Sequence, residues 1–347
     1  MKYLLIDANN LSIRHAFANS ALKNSYGIPT AIHYGVFNSL VSFKQSYPDY
    51  QILFAWDGKS IRRKIESEIG VKNGLIKSAY KANREKEEYP QPLLDFYSQS
   101  PYLKKGIEQA GIPQIRLSDY ETDDVIASYC KKLKKDNEII CISSDQDYLQ
   151  LLDKNVEIFD GMKNKLITHE SFEEEYKIKP KQWIDVGSLS GDSGDNIFGI
   201  SGWGDKTALE AIQEHQSWEN LYKFYHTEYG ALRTKFPDLT KPEDFKKLTD
   251  ITTKSGKQKY PEIIIGMPYS GLVLAVEEKR TKNISKNILI ALMFEERVKL
   301  AYSLKKMDDN IDNLPEIKQG EFNEKRLLEY FSYYEIHSLV DSVSVFK

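Results

Sequence analysis

"GIPQIRLSDYETDDVIASYCKKLKKDNEIICISSD", residues 111–145, changes its hydrophobic period twice. "GIPQIRL" is a short apolar run, "YETDDVIASYCKKLKK" spaces its apolar residues as an amphipathic helix does, and "NEIICISSD" returns to a continuous apolar run ending at Asp145. Strand, helix and strand in that order form a β-α-β unit. The pattern also lies upstream: "KYLLID" ends at Asp7, "QILFAWD" ends at Asp57, and between them "AIHYGVFNSLVSFKQ" sets Ile32, Val36, Leu40 and Phe43 at helical intervals. Downstream, "DYLQLL" reads as a short helix. Such alternation predicts an α/β fold, a mostly parallel sheet with helices on both faces. Ligands in these sheets bind outside the carboxyl ends of the strands, so Asp7, Asp57 and Asp145 are expected to converge there.

The chain has 347 residues, 41% apolar and 29% charged, enough for two or three domains and too apolar for disorder on a domain scale. Past Ile178 helical patterns take over, which places a boundary near Pro180: a core over 1–180 and a helical region over 181–347. Residues 228–285, containing "TKSGKQKYPEIIIGMPYSG", read as an irregular insert, and the last 60 as helices packing back. The longest apolar run, Ile288–Phe294, is far short of the roughly 18 residues of a membrane span. With no signal-peptide pattern at its start, the chain is expected to be soluble and cytoplasmic. Cys130 and Cys141 lack zinc or disulfide spacing and are expected to be free and packed. A net charge of −3 excludes an all-over basic protein but leaves room for local positive patches.

Nine acids fall at strand ends or element boundaries: Asp7, Asp57, Glu121, Asp123, Asp124, Asp145, Asp147, Asp192 and Asp195. Asp145 and Asp147, two apart, would share one side of an extended chain; Asp192 and Asp195, three apart, would be neighbours on a helical turn. In "ETDD", Glu121 and Asp124 share a helix face, and the plainer reading of that tetrapeptide is a helix cap. Taken singly, each acid is explained by a solvated surface. Gathered in one crevice, several carboxylates repel one another unless cations neutralise them. An all-oxygen, histidine-free set suits Mg2+ or Mn2+, and two such ions would clamp the attacking and leaving oxygens of a phosphodiester hydrolysis.

From Lys59 to Lys86 there are nine basic residues against Glu66, Glu68 and Glu85, and Arg62 and Arg63 among them are expected at DNA. If "IKSAYKANRE" is helical, Lys77, Lys81 and Arg84 form one basic stripe, able to contact a scissile phosphate, with Tyr80 available to stack on a base. A solvated helix face is the plain alternative. In "GISGWGDKTALEAI" the glycines follow no strand, which argues against a dinucleotide fold. Gly199, Gly202, Gly204 and Lys206 read instead as a helix-hairpin-helix at about 190–215 that holds a DNA phosphate, with a bare helix-to-helix turn as the alternative.

"LLIDANNLSIRHAF", "FAWDGKSIRRK", "YKANRE", "YETDDVIAS", "SSDQDYLQLL" and "SGDSGDNIFGISGWGDKTA" occur in this order within about the first 215 residues. Together they resemble the 5′ nucleases of the flap endonuclease and 5′-3′ exonuclease superfamily, in particular the polymerase I 5′-nuclease domain and its stand-alone phage relatives. The resemblance implies a PIN-like core, a helical arch or clamp at about 59–90, and a helix-hairpin-helix with a bound monovalent cation such as K+. It places metal ligands on the nine acids, active-site cations on Lys81 and Arg84, and a further arginine on Arg14. The implied activity is structure-specific 5′ nuclease cleavage of flapped or nicked DNA and RNA-DNA primer hybrids, leaving a 5′ phosphate and a 3′ hydroxyl. A monomer is expected, with a single-strand binding protein or sliding clamp as partner. No polymerase domain is recognised, and residues 228–285 have no counterpart. "SLVDSVSVFK" at the end reads as a docking tail or a packed terminal strand. A catalytically silent branched-DNA binder and a PIN-type ribonuclease are the alternatives.

Overall fold

The computed structural model describes residues 1–84, 88–230, 232, 270–277 and 285–347. Most of the expected insert, along with Glu85 and Lys86, lies outside the described residues. The chain divides into two units: one of residues 1–62, 85–175 and 307–347, the other of 63–84 and 176–306.

The first unit is built on strands β1 (Lys2–Asp7), β2 (Tyr50–Trp56), β3 (Gln114–Arg116), β4 (Glu138–Ile142), β5 (Val156–Asp160) and β6 (Lys165–Ile167), in the order β3-β2-β1-β4-β5-β6. β1 to β5 pair in parallel and β6 is antiparallel. The expected α/β class is what the chain adopts. β1 and β4 are near-continuously buried, which is why both read as uninterrupted apolar runs. Strand order reverses beside β1, so the crevice at its carboxyl end is the switch point.

Helices α1 (Ala8–Ala18), α2 (Ala31–Ser46), α4 (Gln91–Gln109) and α5 (Thr122–Leu133) belong to this unit, while α3 (Ile61–Lys72) runs from the first unit into the second. Leu4, Ile6, Phe54 and Ile142 of the sheet pack with Val36, Phe37 and Leu40 of α2. Residues 307–347 return to the same core. Phe331 stands edge-on to Phe37 at 4.9 Å, and Leu339, Val343 and Phe346 are buried. "SLVDSVSVFK" is therefore neither docking tail nor strand; all but Lys347 lies in a 3-10 helix, His337–Phe346, whose Leu339, Val343 and Phe346 fill the core. Cys130 and Cys141 are free and buried.

The second unit is helical: α7 (Trp183–Ser190), α8 (Asp205–His215), α9 (Trp218–Tyr229), then Ser270–Glu277, Lys286–Met293 and Glu295–Lys305; α6 (His169–Tyr176), before them in the chain, belongs to the first unit up to its last residue. Between α7 and α8 lies a two-residue hairpin, β7 (Gly191–Asp192) and β8 (Ile197–Phe198). The glycines after Phe198 thus do follow a strand, but an antiparallel one that offers no β-α-β phosphate loop. Among the described residues no helix is long and apolar enough to cross a membrane.

Candidate active site

Asp7, Asp57, Glu121, Asp123, Asp124, Asp145 and Asp147 all lie in the first unit. The helix that follows β1 ties the neighbouring strand ends together. Asn9 Oδ1 accepts the Asp57 amide at 3.3 Å, and Asn10 Oδ1 accepts the Ser144 amide at 3.1 Å. Adjacent side chains of "DANN" thus fix the ends of both strands flanking β1. Asp7 caps α1, its Oδ1 accepting the Asn10 amide at 2.9 Å, and its Oδ2 accepts the Tyr148 hydroxyl at 3.1 Å. Asp57 Oδ1 accepts the Thr122 amide at 3.0 Å, which binds the end of β2 to the start of α5.

Burial pushes the Asp7 carboxyl well above the usual carboxylate range; Asp57 and Asp145 push it further, against the opposing Asn10 amide and Tyr148 hydroxyl. Burial and the charges of Asp7, Asp123 and Asp145 likewise raise the Tyr148 hydroxyl, which keeps its proton and remains a donor. These effects show that the strand-end acids feel one another's charge.

Asp145 and Asp147 do not lie together on extended chain. β4 ends at Ile142, so Asp145 and Asp147 do not alternate along a strand; Asp145 caps the 3-10 helix Gln146–Leu151, its Oδ1 accepting the Asp147 amide at 2.9 Å. In "ETDD", Glu121 is the cap residue of α5 without a side-chain capping bond, and Asp123 and Asp124 lie in the first turn, where Asp123 Oδ1 accepts the Asp124 amide at 2.9 Å, as the plain reading expects. Asp124 is buried and accepts the Asp308 amide at 2.7 Å, a partner with no signal in the local sequence. Arg14 is partly buried, which lowers its pKa against the opposing charge of Asp160. Its guanidinium lies over Gly161, where a Cβ would come within 1.9 Å of a terminal nitrogen.

Asp192, Asp195, Arg63, Lys77, Tyr80, Lys81 and Arg84 belong to the second unit. α7 ends at Ser190, so the aspartate pair is not on a helical turn. Asp192 Oδ1 instead accepts the amides of Gly194 at 2.8 Å and Asp195 at 3.2 Å, closing a side-chain-capped turn. Its Oδ2 accepts from Lys305 Nζ at 2.9 Å. Burial alone would raise the Asp192 carboxyl; Lys305, helped by the two amides, holds it below the usual value.

Lys77, Lys81 and Arg84 do not form a helical stripe. Residues 76–81 are not helical, and Lys81 takes a positive φ of 56°. Neighbouring polar groups outcompete helix bonds: the Lys81 amide donates to the Asp195 carbonyl at 2.9 Å, and Asn196 Nδ2 donates to Ser78 Oγ at 2.9 Å. Arg84 pairs with Asp195, Tyr80 donates its hydroxyl to Asp195 Oδ2 at 3.0 Å, and Lys81 Nζ stands 3.8 Å from the same oxygen. Arg63, expected at DNA, is only 2% exposed and packs over the Tyr80 ring. Arg62 is half-buried in the first unit and Lys77 is exposed in the second.

The glycines divide by role. A Cβ on Gly199 would meet the Leu189 carbonyl at 2.4 Å, so this glycine closes the hairpin against α7. Gly202, at φ +85°, and Gly204, the N-cap of α8, have open space where a side chain would be, and Lys206 beyond them is exposed. An open cleft of about 660 Å3 runs along this turn, with Lys77 and Arg297 in its wall.

Whether these residues suit a divalent ion is decided by the donor set. Among the described residues no three His, Cys, Asp or Glu side chains gather into a site for one ion by themselves. Magnesium keeps several waters and takes only one or two carboxylates, so mutually repelling, oxygen-only acids around Asp7 are a donor set that suits a hard divalent ion.

Residues 2–177 match the family model described as the 5′-3′ exonuclease N-terminal, resolvase-like domain, and residues 178–257 match the 5′-3′ exonuclease C-terminal SAM fold. DNA polymerase I of Caldicellulosiruptor bescii is 31% identical over 313 residues, 86% of this chain and 33% of the polymerase; the chain thus spans about a third of that relative. The 5′-3′ exonuclease of Aquifex aeolicus is 33% identical over 242 residues, 69% of this chain and 77% of that one. Among solved structures, T5 5′-exonuclease with bound zinc superposes with a TM-score of 0.58 at 17% identity over 100% of both chains. The catalytic core of Rad2 with a DNA substrate reaches 0.57 at 16% identity over 99% of this chain and 91% of that one, and both likenesses speak to the fold. On the family-model matches and the Aquifex relative, the chain belongs to the 5′-3′ exonuclease family.

Proposed function

We propose that this protein is a divalent-metal-dependent, structure-specific 5′ nuclease acting on nicked or flapped DNA and on RNA-DNA primer hybrids. The observation that carries the reading is Asp7, buried at the switch point with its carboxyl raised by burial and by Asp57 and Asp145. Carboxyls raised by burial and like charge in a crevice cluster at functional sites, which is what supports this reading. Asp7, Asp57, Glu121, Asp123, Asp124, Asp145 and Asp147 are the proposed Mg2+ or Mn2+ ligands of the first unit, and Asp192 and Asp195 those of the second. When bound, two such ions would supply a nucleophilic water at neutral pH and neutralise the leaving oxygen.

The chain's own groups do the positioning. Asn9 and Asn10 hold Asp57 and Ser144 in place beside Asp7, and Tyr148 fixes the Asp7 rotamer by donating to Oδ2. Lys81 and Arg84, held on Asp195 in this conformation, are the proposed contacts to the scissile phosphate. Gly202, Gly204 and Lys206 are the proposed duplex anchor, with K+ in the turn; a single-strand binding protein or sliding clamp is the proposed partner of a monomer.

The test is a labelled panel of flap, nicked, gapped and RNA-primed duplexes in Mg2+ and in EDTA. Asp145→Asn should abolish flap cleavage and leave binding largely intact; unchanged turnover would remove the metal assignment. Binding without cleavage in the parent protein would mark a silent branched-DNA binder, and preference for single-stranded RNA a PIN-type ribonuclease.

A further inference from the structure

Lys305 ends helix Glu295–Lys305 and is 7% exposed, an unusual place for a lysine. Its stem lies against Gly187, where a Cβ would stand 3.1 Å from Lys305 Cδ, and its Nζ is 2.9 Å from Asp192 Oδ2. The other Asp192 oxygen already accepts two backbone amides. The oxygen facing Lys305 is therefore the one best placed to take an ion, and the lysine already supplies it with a positive charge.

We propose that Lys305 is a positioning residue that stands in the cation's place at Asp192, so that ammonium and divalent ion compete for Oδ2 and ion binding there is weakened. The inference rests on the reading of Asp192 as a metal ligand. It follows from charge: a carboxylate already satisfied by an ammonium gains less from a second cation. The glycine at 187 leaves room for the stem, which lets a lysine reach this carboxylate from inside the unit.

The experiment is a Mn2+ titration of the full chain, with free Mn2+ followed by electron paramagnetic resonance, and folding checked by circular dichroism. Lys305→Met keeps the length of the stem without charge, and Lys305→Gln keeps a neutral donor, which guards against a variant that fails to fold. Both should tighten the weakest Mn2+ step by about tenfold, the lower end of what one adjacent opposite charge does to the proton affinity of a carboxylate. Lys305→Arg should leave that step near the parent value, and Asp192→Asn should remove it. If Asp192→Asn leaves the titration unchanged, the ligand reading falls and the inference with it. If Asp192→Asn removes a step while both neutral variants bind Mn2+ as the parent does, or more weakly, the competition is refuted and the ligand reading stands.

Discussion

Asp7 and Asp192 are proposed for the same task, yet their surroundings push them in opposite directions. Asp7, in the first unit, is raised by burial and then by Asp57 and Asp145; Asp192, in the second, is held down by Lys305 against its own burial. Asp195 also has cations at hand: Arg84 and Lys81 pair with it, and the Tyr80 hydroxyl donates to the same carboxylate. Repelling carboxylates invite an external cation, and carboxylates with cations at hand do not depend on one for their charge balance. On the proposed assignment, Asp7 in the first set faces like charges, while the second set already has cations in Lys305, Arg84 and Lys81.

The strongest way to break this contrast is Asp7→Asn. It removes a proposed ligand, and cleavage should fall on the order of a thousandfold or more, as for loss of a preorganised transition-state contact. It also removes the charge that Asp57 and Asp145 oppose, while Asn Oδ1 still accepts the Asn10 amide, and the Tyr148 hydroxyl, which donates to Oδ2 in the parent, turns to accept from Nδ2. Melting in EDTA should therefore shift up by roughly 2–4 °C, the yield of about 1 kcal/mol in a domain of this size class. A variant both inactive and less stable would show that the repulsion is not a strain on the fold.

A second test sharpens the comparison inside the second unit, where Asp185 is buried near Glu219, and its Oδ1 accepts the Trp218 amide at 3.0 Å. Burial, then Glu219, pushes it from the ordinary 3.8 up to about 7. The folded state therefore keeps a proton that the unfolded chain has lost. Its contribution is fully present below about pH 4 and falls away as pH rises to 7. The gap between 3.8 and about 7 corresponds to at most about 4 kcal/mol. Asp185→Asn should flatten the fall in melting temperature across that window and raise stability at pH 8. An unchanged pH profile would mean that Asp185 ionises in the fold as readily as in the unfolded chain.

The first unit was legible because its signals are local. Continuous apolar runs gave β1, β2 and β4, and helical spacing gave α2 and α5, so the crevice followed from topology. The second unit was less so. The 76–81 segment has a helical charge pattern, but Asp195 and Asn196, more than a hundred residues on, supply the partners that hold it in turns. Arg63 looks like a surface cation in sequence because burial is a property of packing, not of residue type. Lys305 and Asp308 carry no motif, and their partners, Asp192 and Asp124, lie at least 113 residues away. "DANN" lies within a stretch that carries the family resemblance, and its two asparagines tie the ends of β2 and β4 across the switch point.

The smallest effect is expected at Tyr80. Its hydroxyl donates to Asp195 Oδ2 at 3.0 Å, but Arg84 and Lys81 attend the same carboxylate, and the site is only partly buried. Tyr80→Phe removes one hydrogen bond and keeps the ring under Arg63, so denaturant unfolding should report a loss of about 0.5–1 kcal/mol. Cleavage in Mg2+ should change by less than Asp7→Asn changes it, because both cations stay in place. A loss of several kcal/mol would mean that the hydroxyl, and not the cations, holds Asp195. The second unit's acid would then be fixed as Asp7 is, by a tyrosine, and the difference between the two regions would narrow to charge alone.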